Sequence, residues 1–346
     1  MKVKKTPEEI SEIILSQLKT GPKTISEISD SVNSNWLTIE KFLKELKEKN
    51  LVLEIISSPK MKVYRRYDDL AFYGIPFSKE IRENTHALLC KIAKVWREKV
   101  DSPPLKTILQ KIAVDLIEES NGEIELPTLH FHYGKTTAVR YEETFEEEGK
   151  IFHLTPNQNV LLLRLINEYK KMSSRKAKLF QYKKPGMEFY YIKEKEITEI
   201  SLWKKSKGDL IKKLETALLK LSSYYPLELK ETFKIFDRFI YCSINLLNVN
   251  KQEERMEYFK KIKEMFFLVW DAITTEYFLN DSEKWIEPNR RELFLQMKAN
   301  ILNSKLLNIV PRLEDLQSEL ESINPEDIGR STSEKSKKLL HFLMEE

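Results

Sequence analysis

The sequence predicts a mainly α-helical protein in which an N-terminal module of three helices and a β-hairpin precedes a large, mostly helical region with a small β-hairpin insertion. Three observations predict it. Only 8 of 346 residues are glycine while 41% are hydrophobic and 32% charged, a composition that suits amphipathic helices better than a β-rich or disordered chain. Apolar residues recur at three- and four-residue spacing through most of the chain. Alternation with period two replaces that spacing only in short stretches near 51–67, 124–139 and 178–195. The pattern divides the chain into an N-terminal module (1–70), a mixed, mainly helical middle region (71–205), a helical bundle (206–325) and a polar tail with a terminal apolar anchor (326–346).

The first helix starts at Thr6-Pro7-Glu8-Glu9, which supplies a cap, a proline at the first helical position and a glutamate three residues on. Ile10, Ile13, Ile14 and Leu18 form its inner stripe, and Gly21-Pro22 ends it. Thr24-x-x-Glu27 opens a second helix with another capping box, placing Ile25, Ile28 and Val32 on one face. After the turn Asn33-Ser34-Asn35, a third helix presents Ile39, Phe42, Leu43 and Leu46 inward, with Trp36 near the same stripe. Asn50 tolerates the left-handed conformation that terminates such a helix. Residues 51–56 then alternate as a half-buried strand, Ser57-Ser58-Pro59-Lys60 turns the chain, and Met61-Lys62-Val63-Tyr64-Arg65 alternates again.

Counted at 100° per residue, the outer face of the third helix carries Ser34, Leu37, Lys41 and Lys44, with Thr38 at its flank. A leucine on that face needs a partner, and the lysines suit phosphates. Between Ile55 and Tyr67 the chain carries Lys60, Lys62, Arg65 and Arg66 with no acidic residue, a positive patch beside the helical motif.

Residues 6–67 resemble the winged helix-turn-helix superfamily, in particular small bacterial and archaeal transcription regulators in which a segment like Ile39 to Val52 joins recognition helix to wing. The resemblance covers about a fifth of the chain, and Asn50 stands where glycine is more usual. It implies that Ser34 to Lys44 enter a DNA major groove and that Lys60 with Lys62 lie on the wing against the backbone or minor groove; the exposed Leu37 can touch a thymine methyl or a partner protein, and Arg65 joins the candidate DNA contacts. Winged helices also serve as protein-docking modules, so the resemblance alone leaves both partners open.

Further along, Ser78 caps a helix running towards Val100 with Leu88, Leu89, Ile92, Val95 and Trp96 inside, and Pro103-Pro104 precedes another from Leu105 to about Glu119. Residues 124–139, with alternating Leu129, Phe131 and Tyr133, predict a short extended piece or loop. Gly134-Lys135-Thr136 imitates the end of a phosphate-binding loop, but Leu129 stands where that motif needs its first glycine. His130 and His132 share one side of the extended piece without a third ligand, which leaves them structural. Arg82 and His86 read as an ordinary surface pair, and the acidic clusters at 142–143 and 146–148 as solvated surface. Thr155-Pro156 starts a helix through about Lys171. Residues 178–195, with Phe180, Tyr182, Phe189 and Tyr191 around Pro185-Gly186, predict a β-hairpin whose aromatic side chains pack on a neighbouring helix or stack bases.

From Lys207 the helical period is nearly unbroken. Leu210 to Leu221, Phe233 to Ile244, Met256 to Tyr277, a segment after Pro288, and a last one after Pro311 predict an antiparallel bundle. Ser331 to Lys338 is polar, and Leu339, Leu340, Phe342 and Leu343 offer an anchor for docking. There is no repeat of fixed period.

No apolar run reaches the roughly 20 residues that a membrane span needs, and the N-terminus lacks the apolar core of a signal peptide, so a cytoplasmic location without membrane association is expected. Cys90 and Cys242 lie far apart in apolar helical patterns and read as buried free thiols. No catalytic, metal or cofactor set is indicated. The net charge of +4 excludes a global polycation, and residues 1–76 hold 13 basic and 11 acidic side chains. The expectation is a non-enzymatic, sequence-specific reader of double-stranded DNA, a transcription regulator that dimerises with itself to gain phosphate contacts. The alternatives are a protein-interaction adaptor and a nucleic-acid-processing component of a mobile-element or defence system.

Overall fold

The computed structural model describes residues 6–19, 23–48, 52–58, 61–66, 75–139, 151–198, 208–250, 252–324 and 327–328. Among these the chain is mainly helical, with two small antiparallel sheets. It divides into two compact units: one takes residues 1–129, 137–165 and 278–304, the other 130–136, 166–277 and 305–346.

The first unit begins with α1 (Pro7–Lys19), β1 (Lys23–Thr24), α2 (Ile25–Val32), α3 (Trp36–Glu48), β2 (Val52–Ser58) and β3 (Met61–Arg66). Both anticipated capping boxes form. The Thr6 amide donates to Glu9 Oε2 at 2.8 Å and the Glu9 amide to Thr6 Oγ1 at 3.2 Å; Thr24 and Glu27 exchange the same two bonds at 2.6 and 3.2 Å. The bond from the Thr24 amide lowers the Glu27 pKa below its ordinary value. β2 and β3 pair antiparallel with a register shift between Glu54 and Ile56. β1, two residues too short to show a period, adds to the other edge of β3 with Lys23 opposite Tyr64. Ile14, Leu18, Ile28, Ile39 and Leu43 are fully buried and close over Val52 and Tyr64. Burial, with Glu54 nearby, pushes the Tyr64 phenol up to about 12. Gly21-Pro22, Asn50 and Lys60 lie outside the described residues.

The same unit continues with α4 (Lys79–Lys99) and α5 (Lys106–Glu119). Ser78 caps α4 by accepting from the Ile81 amide at 3.1 Å, and Leu88, Leu89, Ile92 and Trp96 are buried as expected. Cys90 is only half-buried and Cys242, in the other unit, is buried; both are free thiols, and burial pushes Cys242 up to about 11. Gln110 of α5 ties down the chain beyond the extended piece, donating to the Val139 carbonyl at 2.9 Å and accepting from Thr137 Oγ1 at 2.9 Å. Thr155 and Gln158 cap α6 (Pro156–Tyr169) reciprocally at 2.9 and 3.3 Å.

In the second unit α7 (Ser174–Gln181), α8 (Glu188–Ile192), a π-turn at Lys193–Ile197, α9 (Gly208–Ser223) and α10 (Lys230–Leu247) surround an aromatic core. Parts of two 32-residue helices, α11 (Gln252–Glu283) and α12 (Arg291–Ser322), complete it. Phe189 stacks on Trp270 with centroids 5.1 Å apart, and Tyr225 stacks on Phe236 at 4.7 Å. Glu276, 2% exposed, accepts from the Glu231 and Thr232 amides at 3.0 and 2.8 Å. This carboxylate occupies two of the orphan donors at the start of α10, where the helix dipole favours negative charge.

The hairpin expected at 178–195 is not formed: that segment is α7, α8 and the π-turn. The helices are only about one to two turns long, so the alternation of aromatic residues around Pro185-Gly186 imitated two strands. Ser173, which accepts from the Lys176 amide at 3.3 Å, was the overlooked helix start. The small hairpin lies instead at β4 (Thr128–Phe131) and β5 (Gly134–Thr137), within the stretch expected to be extended. Gly134 there has φ +79°, and a Cβ would stand 2.4 Å from the Tyr182 ring, which explains the glycine without a phosphate. Pro311 does not end a helix but lies inside α12. It has no N–H to give to the Leu307 carbonyl one turn earlier, and Leu307 is 75% exposed, so that bond is lost on a turn that meets solvent.

His130 stacks on Tyr277 at 4.0 Å, whereas His132 donates through Nε2 to Asp271 at 2.9 Å and meets Thr274 Oγ1 through Nδ1 at 2.8 Å. The second Asp271 oxygen takes the buried ammonium of Lys305. Burial works to raise the Asp271 pKa, but His132 and Lys305 outweigh it and hold the carboxyl down to about 2. A carboxyl held below its unfolded value stabilises the fold above about pH 4 and loses that contribution as pH falls towards 2. Asp271→Asn should therefore flatten the acid limb of a urea-unfolding series between about pH 4.5 and 2.5 by up to about 2 kcal/mol. An unchanged limb would contradict the pairing.

Candidate nucleic-acid interface

The sequence Asn33-Ser34-Asn35 sets the direction of α3. Asn33 takes the left-handed conformation at φ 54° and ψ 50°, open to few residues besides glycine and asparagine, and ends α2. Its amide donates to the Asp30 carbonyl at 3.2 Å and the Ser34 amide to that of Ser29 at 3.1 Å, while the Ser29 hydroxyl returns a bond to the Ser34 carbonyl. Asn35 Oδ1 then accepts from the Thr38 amide at 2.8 Å and starts α3.

From that start α3 has two distinct faces. Ile39 and Leu43 are fully buried and Leu46 is 3% exposed. On the opposite side Leu37 is 72% exposed, Lys41 and Lys44 are exposed, and Thr38 and Ser34 are half-buried at the edge. Four of the residues singled out by sequence, Leu37, Thr38, Lys41 and Lys44, thus share one helix, and Ser34 sits in the turn that precedes it. Trp36, expected near the inner stripe, is 43% exposed, which gives the first turn of α3 two adjacent apolar side chains in solvent.

The hairpin contributes less positive charge than its composition suggests. Lys62 donates from Nζ to Glu40 Oε1 at 2.8 Å, and that hydrogen bond is the main reason its pKa is raised. The ion pair joins β3 to α3, with Lys62 39% and Glu40 31% exposed. Arg65 stands opposite Leu53 in the β2–β3 register; its side chain, and all of Lys60, lie outside the described residues. Glu40 is the residue that sequence reasoning missed. Its signal was available, since it adjoins Lys41 at a flanking position of an otherwise basic face.

Among the described residues no group of three or more His, Cys, Asp or Glu is placed to hold a metal ion, and no helix is long and apolar enough to cross a membrane. Comparison with protein-family models, with curated proteins and with solved structures finds no match.

If α3 faces phosphates, Glu40 opposes binding and sequesters Lys62. Glu40→Gln should then tighten binding of random duplex several-fold at low salt and steepen the salt dependence by about one phosphate contact. Weakened binding, or none of either effect, in a fluorescence-anisotropy titration would remove Glu40 from the interface.

Proposed function

We propose that the chain is a sequence-specific double-stranded DNA-binding protein, a transcription regulator acting as a homodimer, whose residues 6–67 form a winged helix-turn-helix. The order of three helices and a hairpin supports this reading. The observation that carries it is the open face of α3, where an exposed leucine is flanked by two lysines while Ile39 and Leu43 on the reverse face are fully buried. A helix free on one side at the edge of a small module fits the major groove; its lysines position it on phosphates and Leu37 offers apolar contact to a base edge. The net charge of only +2 over residues 1–76 argues for two copies, since affinity rises with the number of phosphates neutralised.

The apolar pair Trp36 and Leu37 favours one alternative, a module that docks on another protein, because large exposed apolar side chains are typical anchors of protein interfaces. Duplex binding separates the two readings. Lys41, Lys44, Lys60 and Lys62 changed together to Ala should reduce the slope of log affinity against log salt by about 2 to 3, Lys62 being paired with Glu40, and abolish measurable binding at physiological salt. Unaltered affinity would eliminate this surface as a DNA reader, and stable co-purification of one protein without DNA binding would establish the docking reading.

A further inference from the structure

The largest set of cations uninterrupted by an acid in sequence lies elsewhere. Residues 170–184 hold seven Lys and Arg and no Asp or Glu, in a chain whose total is only +4, so the remainder is on balance acidic. The fold gathers them around one short helix. Ala177 and Gln181 bury one side of α7, and Arg175 and Lys176 stand exposed on the other. Lys171 is exposed just before the helix and Lys183 just after it. Lys178 turns inward, meeting Glu194 at 3.3 Å beside the π-turn, and Lys184 is half-buried.

This face runs into an open groove of about 780 Å³. Lys183 and Lys184 form one rim, and Tyr191 and Tyr224 offer ring surfaces, Tyr224 being 51% exposed. Two acids share the groove. Glu196 is neutralised by Lys220, whose Nζ lies 3.0 and 3.1 Å from its two oxygens, and Glu188 stands exposed near the lysine rim.

We propose that this face binds a single-stranded nucleic acid, its phosphates following the cations from Lys171 to Lys183 and its bases stacking on Tyr191 and Tyr224. Cations for a backbone beside aromatic faces for unpaired bases make a single-strand path, and the enclosed bases of a duplex would leave both tyrosines idle. The inference stands apart from the duplex reading of α3, since no residue is shared.

The test titrates the full chain with a fluorescein-labelled oligothymidylate of about 20 nucleotides at several salt concentrations. The wild type is expected to bind with a steep salt dependence. Replacing Lys171, Arg175, Lys176 and Lys183 by Ala, all exposed, should weaken binding at least tenfold and lower the salt slope by about 3, at roughly 0.7 per phosphate. Tyr191→Ala with Tyr224→Ala should also weaken binding about tenfold or more but leave the slope unchanged. Lys41→Ala with Lys44→Ala should leave oligothymidylate affinity as it was, so this proposal and the α3 reading fail separately. Thermal unfolding of each variant at the wild-type temperature confirms that the fold is intact. No oligothymidylate binding by the wild type, unchanged affinity in the fourfold variant, or binding of polyglutamate but not the oligonucleotide would overturn the proposal, the last result assigning the face to acidic protein segments.

Discussion

The left-handed turn at Asn33 is the constraint on which the N-terminal reading depends. It ends α2 after Val32 and, with Asn35 capping the next helix, fixes the rotation at which α3 enters the module. Residue 39 then falls on the core and residue 37 on solvent. One deleted residue would rotate α3 by about 100° and drive Glu40 and Lys44 into the space filled by Ile39 and Leu43. The polar residues of the turn therefore decide which residues can meet a partner, although none of them contributes to the core.

The electrostatics that follow are restrained. Lys41 and Lys44 project from α3, yet Glu40 beside them holds Lys62 across to the hairpin. An exposed ion pair of this kind adds little to stability, commonly under about 1 kcal/mol. Its larger effect is on the potential at the face, where it cancels one cation and fixes the hairpin relative to the helix. On the proposed reading, strong non-specific attraction to duplex is thereby reduced, and discrimination would fall more heavily on apolar contact and dimer geometry. By contrast, no acidic residue interrupts the seven cations from Lys170 to Lys184 in sequence, which suits the proposed attachment to a flexible strand without sequence readout.

Much of this was legible in the residues. Capping pairs such as Thr6/Glu9 and Thr24/Glu27 announce helices because their chemistry is local, and both were found where the spacing put them. The inward stripe of α3 followed from periodicity, as did the open face. Where elements are shorter than two or three turns, periodicity fails: α7 and α8 imitated strands, and β1 was invisible. Tertiary context also overrides local rules, as with Pro311 inside α12. The place of Glu40 beside Lys41 was legible, but its pairing with Lys62 was not, since that partner is 22 residues away and depends on the register of β3. The run from Lys170 to Lys184 was legible in composition, but the expected hairpin drew attention to its aromatic residues and away from its charge.

The most direct measurement is photocrosslinking from position 37. A photoreactive phenylalanine derivative replacing Leu37 in the full chain, irradiated with a pool of random duplexes at low salt, is expected to attach to DNA, with crosslinks on the base edges of the major groove. Attachment to protein alone, or none to DNA under conditions where the chain is saturated with duplex, would contradict the assignment of α3 as the reading element.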